Sequence, residues 1–146
     1  MAQRLSLIVV TLWAGALWMT GLTASVLFKT LPEQQQLAGN LAGQLFVIVS
    51  FIGMASAVYL LAHRLLVFGQ PAFKQAFFRI VLIMFLLVLI GHFGIQPLLQ
   101  SFKTQALPLD VMHSTFASQF KAWHGVAGIV YIIECLLAVG MVLKIR

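Results

Sequence analysis

Acidic residues are scarce in this chain, which has 146 residues and only three Asp or Glu. Charged residues make up 8% of the sequence, whereas soluble domains carry about 25%. Apolar residues make up 62%, and the mean hydropathy is +1.03. This composition excludes a soluble enzyme and a disordered regulator. The single cysteine, Cys135, cannot form an internal disulfide, so a disulfide-stapled secreted domain is excluded as well.

The same shortage of charge limits the chemistry that the chain can perform. The sequence offers no carboxylate pair, no nucleophile beside a base and no phosphate-binding loop. We therefore do not expect an enzyme unless a haem or a metal supplies the reaction. The nine Lys and Arg are spread one or two at a time, whereas a nucleic-acid interface needs them clustered on one face. A nucleic-acid partner is not expected.

Long apolar runs are what the sequence does contain. A helix that crosses the hydrocarbon core needs about 20 mostly apolar residues. Four such spans lie at about residues 5–28, 37–62, 78–99 and 121–143. They do not alternate apolar and polar residues, as the strands of a membrane barrel would. The sequence predicts one all-α membrane domain over residues 1–146, a four-transmembrane-helix antiparallel bundle with the lipid bilayer as its first partner.

The basic residues in the loops predict an orientation, because cytoplasmic loops are enriched in Lys and Arg. One side of the membrane would hold the N-terminus, the second loop and the C-terminus, with Arg4, Arg64, Lys74, Arg79, Lys144 and Arg146. The opposite side would hold Lys29, Lys103 and Lys121. We therefore expect both termini in the cytoplasm and the chain in a bacterial-type inner membrane.

Three motifs predict where helices start and stop. Thr30 to Glu33 has the spacing of a capping box with a proline in the first turn, which predicts the start of the second helix. Gly69 followed by Pro71 predicts a stop and a restart. Pro97 should bend or end the third helix.

Small residues form a stripe along the second span. Gly39, Gly43 and Gly53 lie on it, and the first two form a GxxxG pair. Such stripes let membrane helices approach closely. We predict that these glycines are helix-packing positions, which either close the bundle or, at Gly39 and Gly43, form the seam of a homodimer. Another membrane subunit is a further possible partner.

Glu134 is the most informative residue because it lies near the middle of the last span. A charge there costs about 2.5 to 3.5 kcal/mol on insertion scales, so the side chain should face the bundle interior. His124 and Tyr131 share the same broad helix face. Two interpretations stay open: a polar chain of His124, Tyr131 and Glu134, or a protonated Glu134 that bonds to a neighbouring helix and fixes the packing.

Two histidines are the candidate cofactor-binding residues. Antiparallel helices would place His92 and His124 at similar depth. Such a pair could ligate a haem iron axially or, together with Met112 and His113, a copper ion. Neither histidine lies in a recognisable ligand motif, and Gln96, one turn from His92, could satisfy that ring alone. We therefore expect no cofactor, with haem or copper as the alternative.

Two segments carry a family resemblance. One runs from Ser25 to Phe46 and includes Phe28, Ala38, Gly39 and Gly43; the other is Phe120 to Gly125, with His124. Together with four spans in this length, they resemble the membrane family called domain of unknown function 4149, which is similar to the transmembrane-protein-205-like proteins. More distantly, the chain looks like the copper-resistance D-type membrane proteins. The resemblance implies the architecture, but no reaction.

Three functional hypotheses follow from these observations. The first is a structural or accessory subunit of a membrane assembly, and the second is a haem- or copper-binding membrane protein. The third is an oligomeric transporter of small solutes or ions that works around Glu134. Four helices are few for alternating access, which commonly uses paired repeats, so transport would require a dimer.

Overall fold

The computed structural model describes residues 2–145, and helices occupy nearly all of this length. The α-helices are α1 (Ala2–Thr30), α2 (Gln35–Phe68), α3 (Ala76–Leu89), α4 (Gln96–Ala106) and α5 (Ala117–Leu143). A π-helical segment, Ile90–Ile95, joins α3 and α4 into one path. Four stretches are long and apolar enough to cross a membrane: Gln3–Thr30, Gln35–Phe68, Ala76–Ala106 and Ala117–Leu143. The predicted all-α, four-helix membrane fold is confirmed, and the chain is a multi-pass membrane protein.

The helices pack in a ring. α1 packs against α2 and α5, and α3 also packs against α2 and α5. α1 and α3 therefore lie across the bundle from each other, as do α2 and α5. We call the end that holds the turn at residues 69–75, the start of α1 and the end of α5 the terminal end. The opposite end holds the turn at residues 31–34 and the connection at residues 107–116, and we call it the loop end.

The apolar core fills the half of the bundle next to the terminal end. Trp13, Leu60, Met84 and Met141 are at most 1% exposed and come from four different helices. Since lipid tails compete with these side chains for apolar contact, close packing supplies the attraction between helices in this half.

Polar contacts close the terminal end. The Arg64 guanidinium donates to Gln75 Oε1 at 3.3 Å and to the backbone carbonyl of Ile145 at 2.5 Å. Its central carbon also lies 4.5 Å from the ring centroid of Phe77. Arg64 therefore ties α2 to the chain between α2 and α3 and to the C-terminal residues. Arg146, which the orientation argument counted, lies outside the described residues.

The first connection corrects one prediction. Thr30 is the last residue of α1, and its hydroxyl donates back to the carbonyl of Val26 at 2.8 Å. α2 begins only at Gln35, and its N-cap residue Gln34 makes no side-chain capping bond. The predicted capping box is wrong because the hydroxyl is already used inside α1.

The stop and restart predicted at Gly69 and Pro71 is confirmed, whereas the helix does not end at Pro97. Gly69 ends α2 with a φ of +62°, in the left-handed region that favours glycine, and Pro71 lies at the start of a short 3-10 helix, as predicted. The helical path does not end at Pro97 but continues to Ala106. A proline ring crowds the carbonyl four residues earlier, here that of Phe93, which lies inside the π-helical segment.

Candidate functional site

Side chains do not fill the half of the bundle next to the loop end. A cavity of about 1140 Å³ lies there and is lined by residues of α1, α2, α5 and the path from α3 to α4. Pockets that hold small molecules typically measure about 300 to 1,000 Å³. The space is therefore large enough for a drug-sized ligand.

The burial pattern of α5 explains why the space is there. Its buried residues are Glu134, Cys135, Ala138 and Met141. None of the residues 117–133 is buried. α5 therefore packs firmly only in the half that approaches the terminal end, and its first half leaves the bundle interior open.

Glycines keep the cavity wide. Five of them line it: Gly39 and Gly43 on α2, Gly91 in the π-helical segment, and Gly125 and Gly128 on α5. A Cβ atom on Gly43, Gly91, Gly125 or Gly128 would meet no atom within 4 Å, and one on Gly39 would meet only Phe28 Cζ at 3.9 Å. Within the chain, these glycines do not serve to bring helices into contact.

Gly53 has the opposite surroundings. A Cβ atom there would lie 2.9 Å from Trp13 Nε1 and 3.3 Å from Val88 Cγ2. At Gly21 it would lie 3.1 Å from Tyr131 Cε1. The stripe predicted on α2 thus divides into Gly53, where α1 and α3 approach closely, and Gly39 and Gly43, which line open space.

Glu134 forms the floor of the cavity. Its side chain is only 6% exposed and lines the open space. It lies 17 residues after Ala117 and nine before Leu143, roughly 26 and 14 Å from the two ends of α5 at about 1.5 Å per residue. Among residues 2–145, no side chain or backbone group forms a hydrogen bond or ion pair with its carboxyl group.

Tyr131 lies one helical turn from Glu134, toward the loop end, and its hydroxyl already has another hydrogen-bond partner. Its hydroxyl donates to the backbone carbonyl of Leu17, and its ring meets the Phe46 ring edge-to-face at 4.9 Å between centroids. His124 also lines the cavity, with its ring stacked on Phe120 at 5.8 Å. The three side chains of the predicted polar chain therefore line one space, but in the described part of the protein they form no hydrogen bond with one another.

His92 does not line the cavity. Its ring lies 4.9 Å from that of Phe51 and 4.8 Å from that of Phe93, and its Nδ1 has no partner among the described residues. Residues 2–145 contain no group of three or more His, Cys, Asp or Glu side chains that could hold a metal ion. His124 lines the cavity whereas His92 does not, so the two rings do not share that space, and haem or copper binding by this pair stays a prediction.

The rim of the cavity, at the loop end, is polar. Lys103 Nζ donates to Asn40 Oδ1 at 3.1 Å and lies 5.9 Å from the Phe120 ring centroid. Asp110 and Lys121 also line this region. Amide side chains complete the rim, from Gln35, Gln36, Asn40, Gln44, Gln96 and Gln100. The cavity thus passes from a polar rim, between largely apolar walls, to one buried acid.

The comparison with known families fits this architecture. The family model described as Domain of unknown function (DUF4149) matches residues 7–108. The chain belongs to the DUF4149 family. No curated protein and no solved structure matches it. The match spans α1 to α4 and stops before α5, so in this DUF4149 protein both Glu134 and His124 lie outside it.

Proposed function

We propose that this membrane protein binds a lipophilic cation, a largely apolar molecule with one positive charge, in the cavity. The observation that carries the proposal is Glu134, a residue only 6% exposed that lines the cavity and whose carboxyl group has no hydrogen-bond or ion-pair partner in the described residues. An acid at this depth is costly unless it is paired, and a cation in the cavity would supply the missing partner.

The walls favour an organic cation. Leu17, Val47, Val88 and Ile95 present apolar surface, and the wall glycines leave room for bulky groups. The rings of Phe46 and Tyr131 adjoin the floor, and aromatic faces attract cations, most strongly when the cation has lost its water. A molecule with a dispersed charge and apolar substituents matches all of these features.

Divalent inorganic cations match the floor poorly. Mg²⁺ takes an octahedral set of oxygen ligands and Ca²⁺ takes 6 to 8. The floor offers one carboxylate, and the next acid that lines the cavity, Asp110, belongs to the rim. The hydroxyl of Tyr131 is engaged with Leu17. An organic cation, which needs one countercharge and apolar surroundings, is the better occupant.

The test uses two ions of similar size and shape but opposite charge, tetraphenylphosphonium and tetraphenylborate. We expect the detergent-solubilised full chain to bind the phosphonium saturably at one site per chain and the borate far more weakly, because Glu134 pairs only with a positive charge. Equilibrium dialysis measures both affinities. Equal binding of the two ions, or no binding of either, would overturn the proposal and return the accessory-subunit hypothesis to first place.

Orientation decides which side of the membrane the cavity faces. We infer that both termini lie in the cytoplasm of a bacterial-type inner membrane, so that the rim faces outward. The support is the six basic residues of the terminal side against three on the loop side. A reporter fused after Arg146 should therefore show cytoplasmic activity. A periplasmic signal there would reverse the orientation and make the cavity open inward.

A further inference from the structure

We propose that the cavity exchanges ions: each lipophilic cation that binds releases one proton from Glu134. This inference rests on the proposed function and extends it, because binding alone does not require that a proton leave. It assigns a proton-linked activity to one side chain and predicts how affinity changes with pH.

The surroundings of Glu134 contain no basic partner. On its own helix, Tyr131 and Cys135 are its titratable neighbours, and the Tyr131 hydroxyl is bonded to Leu17. The walls that α1, α2 and the path from α3 to α4 supply at this level carry no basic group: they present Leu17, Phe46 and Val88, and the Ser50 hydroxyl, which donates to the backbone carbonyl of Phe46. Since a charge at this depth costs about 2.5 to 3.5 kcal/mol, and no positive charge offsets it, the empty cavity favours the neutral form of the carboxyl group.

The charged and titratable groups that line the cavity farther away lie toward the rim. They are Lys103 on α4, Asp110 in the connection to α5, and Lys121 and His124 on α5. His124 precedes Glu134 by ten residues, which is about 15 Å along a helix. These groups are too distant to form an ion pair with Glu134, so an incoming cation is the first positive charge to reach the carboxyl group.

The charge balance of the site then sets how many protons leave for each cation that binds. When a cation arrives, the O–H bond of the carboxylic acid breaks, the proton leaves to water, and the carboxylate and the cation remain as an ion pair. No other bond forms or breaks, and nothing is oxidised or reduced. The site carries zero net charge before and after, which avoids burying a net charge in the bilayer core.

The route of the proton follows from the packing. The cavity reaches the polar rim at the loop end, whereas the half next to the terminal end is filled by buried side chains such as Trp13, Met84 and Met141. In this conformation the packed half blocks passage to the terminal end, and the proton leaves to water at the polar rim. Release to the other side would require the packed half to open.

The experiment measures binding and proton release in the same sample. Tetraphenylphosphonium is titrated into the detergent-solubilised full chain in a weakly buffered solution with a pH indicator. We expect about one proton released per cation bound. While the acid is mainly protonated, affinity should rise roughly tenfold per pH unit, since one exchanged proton links the two equilibria.

Three variants make the outcomes distinguishable. Glu134→Asp keeps a carboxyl group and should retain proton release, and His92→Gln, which alters a ring outside the cavity, should match the wild type. If His124→Gln abolishes release but keeps binding, His124 is the proton source and the inference is wrong. If binding releases no proton at any pH from about 5 to 9, roughly two pH units either side of neutrality, the inference is overturned but the proposed function stays intact. No binding at all overturns the proposed function itself.

Discussion

Replacing Glu134 by Gln is expected to lower the affinity for tetraphenylphosphonium roughly thirtyfold or more. Gln has nearly the same shape, so the packing of this buried side chain is preserved, but it cannot supply a countercharge. Removing one partner of a buried charge pair typically costs about 2 to 5 kcal/mol, and about 2 kcal/mol corresponds to roughly a thirtyfold change in Kd. Equilibrium dialysis of wild type and variant, at a pH above which the wild-type affinity no longer rises, measures the ratio.

A matched control removes the same charge elsewhere. Glu33→Gln also replaces one acid by its amide, but Glu33 is exposed in the turn between α1 and α2. It should leave the affinity unchanged, which separates a local ion pair from the net charge of the chain. If Glu134→Gln bound the phosphonium as tightly as the wild type, the cation would not be paired with Glu134.

Some of this site follows from the sequence alone. The four spans are predictable because the length and polarity of a membrane helix are local properties of the chain. The inward direction of Glu134 is predictable for the same reason, since a buried acid facing lipid would be the costlier arrangement. Both expectations depend on composition and position and require no knowledge of how the helices meet.

The relative positions of the His92 and His124 rings could not be predicted from their depth in the membrane alone. Residue spacing placed the two rings at similar levels, but it did not fix the direction in which each points around its helix. The π-helical segment Ile90–Ile95 changes the number of residues per turn just at His92. The ring of His92 meets Phe51, while Gly91 and Ile95 line the cavity. Pro97, shortly after Gly94, was a sequence signal near this irregularity, but it did not indicate a π-helical segment.

The cavity itself could not be predicted, because glycine has two opposite uses. A small residue permits close contact only if a bulky group lies opposite. Trp13 lies opposite Gly53, whereas nothing lies within 4 Å of a Cβ on Gly43. Sequence shows the glycines but not what faces them. A signal was present in Gly125 and Gly128 on α5, yet it has the same ambiguity.

The different surroundings of Gly53 and Gly43 predict a second large effect, on the stability of the bundle. Gly53→Leu should strongly destabilise the bundle, because the new side chain would enter space occupied by Trp13 and Val88, which are 0% and 4% exposed. Overpacking a well-packed core costs about 1 to 3 kcal/mol and occasionally more. Gly53→Ala, whose Cβ alone would lie 2.9 Å from Trp13 Nε1, should give a smaller loss in the same direction. The apparent melting temperature in detergent, followed by size-exclusion chromatography after heating, measures both.

Gly43→Leu is the matched control because it makes the same substitution in the same helix, but into the cavity. Any gain from the better helix propensity of Leu over Gly is common to both variants, so the difference between them reports only what faces each glycine. We expect Gly43→Leu to melt within a few degrees of the wild type, a shift of less than about 1 kcal/mol, and Gly53→Leu to melt far lower or fail to fold, with Gly53→Ala between them. Equal losses at the two positions would show that Gly43 is as tightly packed as Gly53, and that the loop half of the bundle is closed in solution.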